Sequence, residues 1–237
     1  MSTGSTRWYV AGYWPSRSDG QAECTQSVIT YLTELGRVDG RLATWFQGAD
    51  TVQEARSNPI DVTAGSIESL LLSGRSRLDS DGSVIADLGF GLSGWNGALS
   101  SDDQARFSIR CSVTSTRVPN SVLVDVPGSI AAEGDACETT RRLVATTAAV
   151  WRPDWATCCT DRLRKDQGAK AAGRIVVGQH TYIAARRGTP PDLPEPFTTT
   201  PVDDIGTIIS IVGVEATADL IGELVASLDR SYVAVRL

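Results

Sequence analysis

The clearest pattern lies near the middle of the chain. Ala105, Phe107, Ile109, Cys111 and Val113 alternate with Arg106, Ser108, Arg110, Ser112 and Thr114. A period of two predicts a strand with one buried and one wet face. Pro119 and Asn120 predict a turn, after which Val122, Val124 and Val126 continue as the next strand. The two are expected to pair antiparallel.

Elsewhere the spacing changes to that of helices. Cys24, Val28, Tyr31, Leu32 and Leu35 fall on one helical face, with Ser18 and Gln21 at capping-box spacing before them and Gly36 as a stop. Ile67, Leu70 and Leu71 predict a helix over about 63–73, ended by Gly74. Ala136, Thr140, Leu143, Val144 and Thr147 predict a third. Leu220, Ile221, Leu224, Val225 and Leu228 predict a last one. Pro153, between Trp151 and Trp155, reads as breaking the third helix and opening a new helical turn.

The remaining strands are shorter. Trp8–Trp14 is aromatic and bounded by Pro15, so it reads as a first strand. Val84–Leu88 reads as a strand edge, 174–177 with 181–185 as a hairpin or bent strand, and 207–212 as a further strand. Five of the ten prolines lie between Pro190 and Pro201. The residues after Pro201 are too few for a core of their own. The expectation is therefore a single domain over 1–237, with a proline-rich surface loop around 188–201. The order of elements is not a regular βα alternation. It predicts an α+β fold with a mainly antiparallel sheet and several packed helices.

Composition narrows the chemistry. The chain has 237 residues, one histidine (His180), five cysteines and a net charge of −6. One imidazole excludes sites built on two, and no cysteines stand at CxxC spacing. No metal site or cofactor is expected. There is no apolar run long enough for a transmembrane helix, and the polar start reads as lacking a secretory signal. With thiols read as reduced, the expected location is the cytoplasm. A pI near 4.9 argues against nucleic acid as the direct partner. The charge is uneven. Residues 1–150 hold 12 basic and 17 acidic groups, residues 151–190 hold 8 and 3, and residues 191–237 hold 2 and 8.

Several residues invite a chemical reading, each beside a plainer one. Gly89-Phe90-Gly91-Leu92-Ser93-Gly94 matches GxGxxG, but polar sequence follows where a nucleotide fold needs a helix. The plainer reading is a glycine-rich loop carrying Phe90 and Trp95. His180 could act as a base with Cys158 or Cys159, near Arg162 and Arg164. No GxSxG elbow accompanies it, and a structural histidine is the plainer reading. Cys24 and Cys111 read as small buried hydrophobes. Trp151 and Trp155 with Arg152, Arg162, Arg164 and Lys165 could stack bases, or be a core pair beside a solvated basic face. Paired acids at Asp102-Asp103 and Asp203-Asp204, with Asp79 and Asp81 behind them, read as solvated turns or as a contact surface for a basic partner.

A family resemblance joins these features. Tyr9–Trp14, ending in Tyr13-Trp14, resembles the first strand of the immunity protein 52 family of bacterial polymorphic toxin systems. The following helix with Cys24, Leu32 and Leu35 is similar, as are Trp45-Phe46 and Asp87-Leu88-Gly89-Phe90 leading to Trp95-Asn96-Gly97. In the C-terminal half, Trp151-Arg152-Pro153-Asp154-Trp155, Thr181-Tyr182 and 205–211 are similar too. The resemblance implies a non-enzymatic cytoplasmic antidote that binds a cognate toxin. The toxin would carry a restriction-endonuclease-like nuclease domain, kept from DNA by the bound antidote. Tyr13, Trp14, Trp45, Gly89, Phe90, Trp95, Trp151 and Trp155 would then define the fold. The toxin contacts are expected at Asp79, Asp81, Asp102, Asp103, Asp203 and Asp204. The alternatives are a small-molecule-binding module at the glycine-rich segment, or an enzyme using His180 with Cys158 or Cys159.

Overall fold

The computed structural model describes residues 7–168, 174–228 and 230–234. Its strands are β1 (Trp8–Trp14), β2 (Phe90–Trp95), β3 (Arg106–Cys111), β4 (Asn120–Val126), β5 (Trp155–Thr160), β6 (His180–Ala184), β7 (Phe197–Val202) and β8 (Gly206–Ile211). Its helices are α1 (Gln21–Val38), α2 (Val52–Arg56), α3 (Ala64–Ser73), α4 (Gly128–Ala131), α5 (Ala136–Trp151), α6 (Asp161–Asp166), α7 (Ala218–Ser227) and α8 (Arg230–Val233). The strands form one mainly antiparallel sheet in the order β2-β3-β4-β1-β5-β6-β8-β7. The fold is α+β, as the order of elements predicts. By compactness the chain divides into Met1–Gly12 with Asp125–Arg236, and Tyr13–Val124.

In the Tyr13–Val124 unit the alternation of β3 is realised. Phe107, Ile109 and Cys111 are buried while Arg106, Ser108 and Arg110 are exposed. β3 pairs antiparallel with β4, Ile109 opposite Val122, as expected. Trp45 meets Phe107 edge-on at 4.9 Å between ring centroids, a favoured aromatic geometry. The predicted face of α1 is the buried one, with Cys24, Val28, Tyr31, Leu32 and Leu35 all within the core. Its start differs from the Ser18–Gln21 expectation. The helix begins after Gly20, whose N–H donates to Glu23 Oε2 at 2.8 Å. Gly36 does not end it. The helix runs to Val38, and Gly36 admits Ala43, whose Cα would lie 2.9 Å from an added Cβ.

Asn120 fastens the β3–β4 connection. Its Oδ1 accepts from Val113 N–H at 2.8 Å. Its Nδ2 donates to the carbonyls of Val113 at 3.1 Å and Pro15 at 2.8 Å. Three main-chain groups around a fully buried side chain are thereby satisfied.

The glycine-rich run is a strand rather than a loop: β2 pairs antiparallel with β3 from Phe90 opposite Cys111 to Trp95 opposite Arg106. Its glycines permit close contacts. An added Cβ at Gly89, where φ is +63°, would lie 2.2 Å from the Cys111 carbonyl oxygen. The expected strand edge at Val84–Leu88 is reduced to a bridge between Arg77 and Val84 and a short 3-10 turn over Ala86–Leu88.

In the other unit, β5 and β6 are buried at every position, and α5 packs against β5, β6 and β8. Pro153 therefore leads into a strand and not into a helical turn. α5 ends at Arg152, which adopts the left-handed conformation at φ 45°. Of the expected 174–185 hairpin, only β6 is a strand. Arg174 makes an isolated bridge to Ala234. The segment expected as a surface loop over 188–201 ends inside the outermost strand, β7. Its prolines are compatible with that place. Val212 N–H donates to the Pro196 carbonyl and Ile211 N–H to the Gln179 carbonyl. With the β7–β8 register, the antiparallel alternation turns the main-chain groups of 197, 199 and 201 away from β8. Pro201 thus lacks an N–H only where no ladder partner waits.

Candidate functional site

The sequence-predicted acids occupy three separate turns. Asp79 and Asp81 lie in the turn closed by Leu78 N–H donating to the Ser83 carbonyl. Asp81 also accepts from Ser83 N–H at 2.9 Å, and hydrogen bonding by the Ser83 hydroxyl and then by this N–H holds its carboxyl below the ordinary value. Asp102 and Asp103 lie in the β2–β3 connection, where Asn96 Nδ2 donates to the Asp103 carbonyl at 2.8 Å. Asp203 (φ 43°) and Asp204 form the β7–β8 turn. Five of the six are exposed, and Asp103 is half-buried. These turns present negative charge at the surface. Asp39 and Asp154 differ: they are tied to Arg41, and to Arg186 and Arg187.

The aromatic residues behave as a framework. Trp14, Trp45, Trp151 and Trp155 are buried, and Tyr13, Phe90 and Trp95 are half-buried. Phe46 covers Trp95 with ring centroids 6.3 Å apart, and the Arg75 guanidinium lies 5.4 Å over Phe90. Trp151 and Trp155 are thus closed to a stacking base. Arg162, Arg164 and Lys165 form an exposed basic face on α6.

His180 is fully buried. Thr140 Oγ1 donates to the Ala136 carbonyl at 2.6 Å, so its proton is already used. The imidazole Nε2, 3.2 Å from that oxygen, is therefore assigned the N–H. Nδ1 then accepts from the Ser210 hydroxyl at 2.8 Å. Burial pushes the histidine down from 6.5 to about 4, which keeps it neutral near neutral pH.

Cys158 stands opposite His180 in the β5–β6 register. Like Cys159 it is buried. Burial drives the Cys158 thiol far up and that of Cys159 up to about 12. Sequence reasoning missed a thiol close to the imidazole. Cys137 Sγ lies 3.8 Å from Nε2, brought there by the first turn of α5. Its thiol is also pushed up, first by burial and then by Glu138. A neutral imidazole presenting an N–H beside a neutral thiol lacks the base that nucleophilic catalysis needs.

Cys137 is the one exposed cysteine of the five. One equivalent of iodoacetamide is therefore expected to label the folded protein at Cys137 alone, with the other four thiols reacting only after denaturation. Peptide mass mapping checks this, and labelling of Cys158 or Cys159 in the folded state would contradict the packing.

Cys137 also opens onto a cleft of about 360 Å³. Trp8 and Val214 line it, Gln179 and Thr140 reach it from beneath, and Glu215 stands beside them. Gln179 fixes this loop. Its Nε2 donates to the Ile211 and Val214 carbonyls, and its Oε1 accepts from Ala216 N–H at 2.8 Å. Among the described residues no group of three or more His, Cys, Asp or Glu is placed to hold a metal ion. No helix among them is long and apolar enough to cross a membrane.

Among solved structures, the chain is similar in fold to the Pseudomonas aeruginosa T6SS protein PA0821. The TM-score is 0.56 at 12% sequence identity, over 96% of this chain and 76% of that one. No curated protein gives a significant match. The family model for immunity protein 52 matches residues 6–218, and on that extent the chain belongs to the immunity protein 52 family.

Proposed function

We propose that this immunity protein acts in the cytoplasm by binding a cognate toxin with a restriction-endonuclease-like nuclease domain and blocking its active site or its access to DNA. The observation that carries the reading is how the acidic excess is displayed. Asp79, Asp102, Asp203 and Asp204 stand in exposed turns, without a side-chain partner among the described residues. A nuclease surface must be basic to hold DNA. An acidic inhibitor gains a steered encounter with it, approaching ~10⁸ M⁻¹s⁻¹ at low salt. Family membership supports the toxin-binding role, and the fold shared with a type VI secretion protein is compatible with it.

The test is co-expression with the cognate toxin domain, which this reading expects in a neighbouring gene. Rescue of growth and a stable complex are expected. Continued killing with no measurable complex overturns the reading. Within a complex, reversing Asp203 and Asp204 to lysine is expected to slow association about tenfold at low salt and to flatten its salt dependence. The same holds for the Asp102–Asp103 and Asp79–Asp81 pairs. Stopped-flow association across a salt series reads all three. If none of the pairs alters the rate, the contact surface lies elsewhere.

A further inference from the structure

We infer that the cleft beside Cys137 is a contact site that receives an arginine or lysine side chain of a basic protein partner. The inference rests on the toxin-binding reading above and names a surface that the acidic turns do not include.

The cleft is amphipathic in the way a long cationic side chain requires. Trp8 and Val214 offer apolar and aromatic surface for the aliphatic stem. The Trp8 ring adds attraction for the charged head. Glu215 stands at the loop beside them and is exposed. Asp135, immediately before the lining residue Ala136, is exposed and makes no capping bond to α5. Neither carboxylate has an ion-pair partner among the described residues. Of the next two cations along α5, Arg141 is tied to Glu138 at 2.7 Å, and Arg142 is exposed outside the residues that line the cleft. The charge of the acidic residues named at the cleft is therefore what a visitor meets first.

The site is also held in shape. Gln179, 8% exposed, clamps both sides of the Val214–Glu215 loop through three hydrogen bonds. A contact residue on a fixed loop loses little freedom on binding. Val212 and Val214 are 45% and 51% exposed, two of only six large hydrophobic residues so exposed among the described ones. Exposed apolar surface with an acidic border, on a rigid loop, is the composition of a contact centre for a basic surface.

Cys137 makes the inference directly testable, because it is the one exposed thiol and it lines the cleft. The probe is the toxin domain found by that co-expression, mixed with the whole protein and pulsed with iodoacetamide. Alkylation of Cys137 is expected to slow at least about tenfold in the complex. Glu215→Lys, at an exposed position, is expected to weaken binding at least about tenfold, and Trp8→Ala by as much or more. Circular dichroism and urea unfolding check that Trp8→Ala is folded, and Glu215→Lys carries the test if it is not.

A complex in which Cys137 reacts at its free rate, or in which Glu215→Lys binds unchanged, overturns this inference and leaves the toxin-binding reading standing. Protection of Cys137 in the protein alone, rising with its concentration, would instead assign the cleft to a second copy and overturn it too. Failure to form any complex removes the toxin-binding reading, and this inference with it.

Discussion

Lowering the pH from neutral to 4 is expected to cost this protein about 3 kcal/mol of stability through His180 alone. The folded imidazole is held at about 4 by burial, against an ordinary 6.5. A group whose folded value is depressed in this way binds its proton more readily in the unfolded chain. The unfolded state is therefore favoured as pH falls below 6.5, and the loss levels off below about 4, where both states are protonated. At the limit the loss is about 3 kcal/mol.

The protein has no other histidine, so the window above the carboxylate range isolates this one group. Urea midpoints measured between the two values should fall steadily for the natural protein. They should stay much flatter for His180→Gln, which keeps a polar group toward Thr140 and Ser210. Equal slopes for the two proteins would show that His180 is not buried neutral.

The second large effect is expected at Asn120. Replacing it by alanine removes the partner of Val113 N–H and of the Pro15 carbonyl at a fully buried position, while the Val113 carbonyl keeps the Arg17 N–H. Each orphaned group costs about 1–3 kcal/mol, which brings the sum to about 2–4 kcal/mol. Asn120→Asp tests the geometry. It keeps the acceptor for Val113 N–H but turns the two donor positions into repulsion against carbonyl oxygens. Both variants should unfold at markedly lower urea concentration. A loss below about 1 kcal/mol for either would mean that water replaces the side chain there.

What could be seen in the sequence follows from burial. β3 was legible because one of its faces is wet, so polar residues mark every second position. β5 gave no such signal, and β6 showed only as part of the hairpin or bent strand expected over 174–185. Their residues, WATCCT and HTYIA, are buried on both faces, and threonine, cysteine and one histidine blur the apolar run that such strands usually show. β2 was hidden by glycines. An added Cβ at Gly94 would sit 2.5 Å from the Phe107 ring and 2.9 Å from Ile60 Cδ1, so glycine there makes room for packed side chains.

The helices were legible by their apolar faces, less so by their ends, where Gly20 with Glu23 replaced the expected Ser18 cap. The acidic turns could be picked out because turn residues and charge coincide in the sequence. The cleft could not. Trp8, Cys137, Gln179 and Glu215 come from four distant stretches, and their meeting depends on the topology of the sheet.

One detail of β7 bears on how the protein behaves at high concentration. An outermost strand is a template on which another chain can crystallise its own backbone, the first step toward fibrils. Along 197–202 the outward-facing donors would be the N–H groups of Phe197, Thr199 and Pro201. The first is spent on the Pro194 carbonyl, and the last does not exist. Thr199 N–H is then the one donor left beside the outward carbonyls, which makes this edge a poor template for a second strand. Copies of the protein at high concentration therefore gain little by pairing along it.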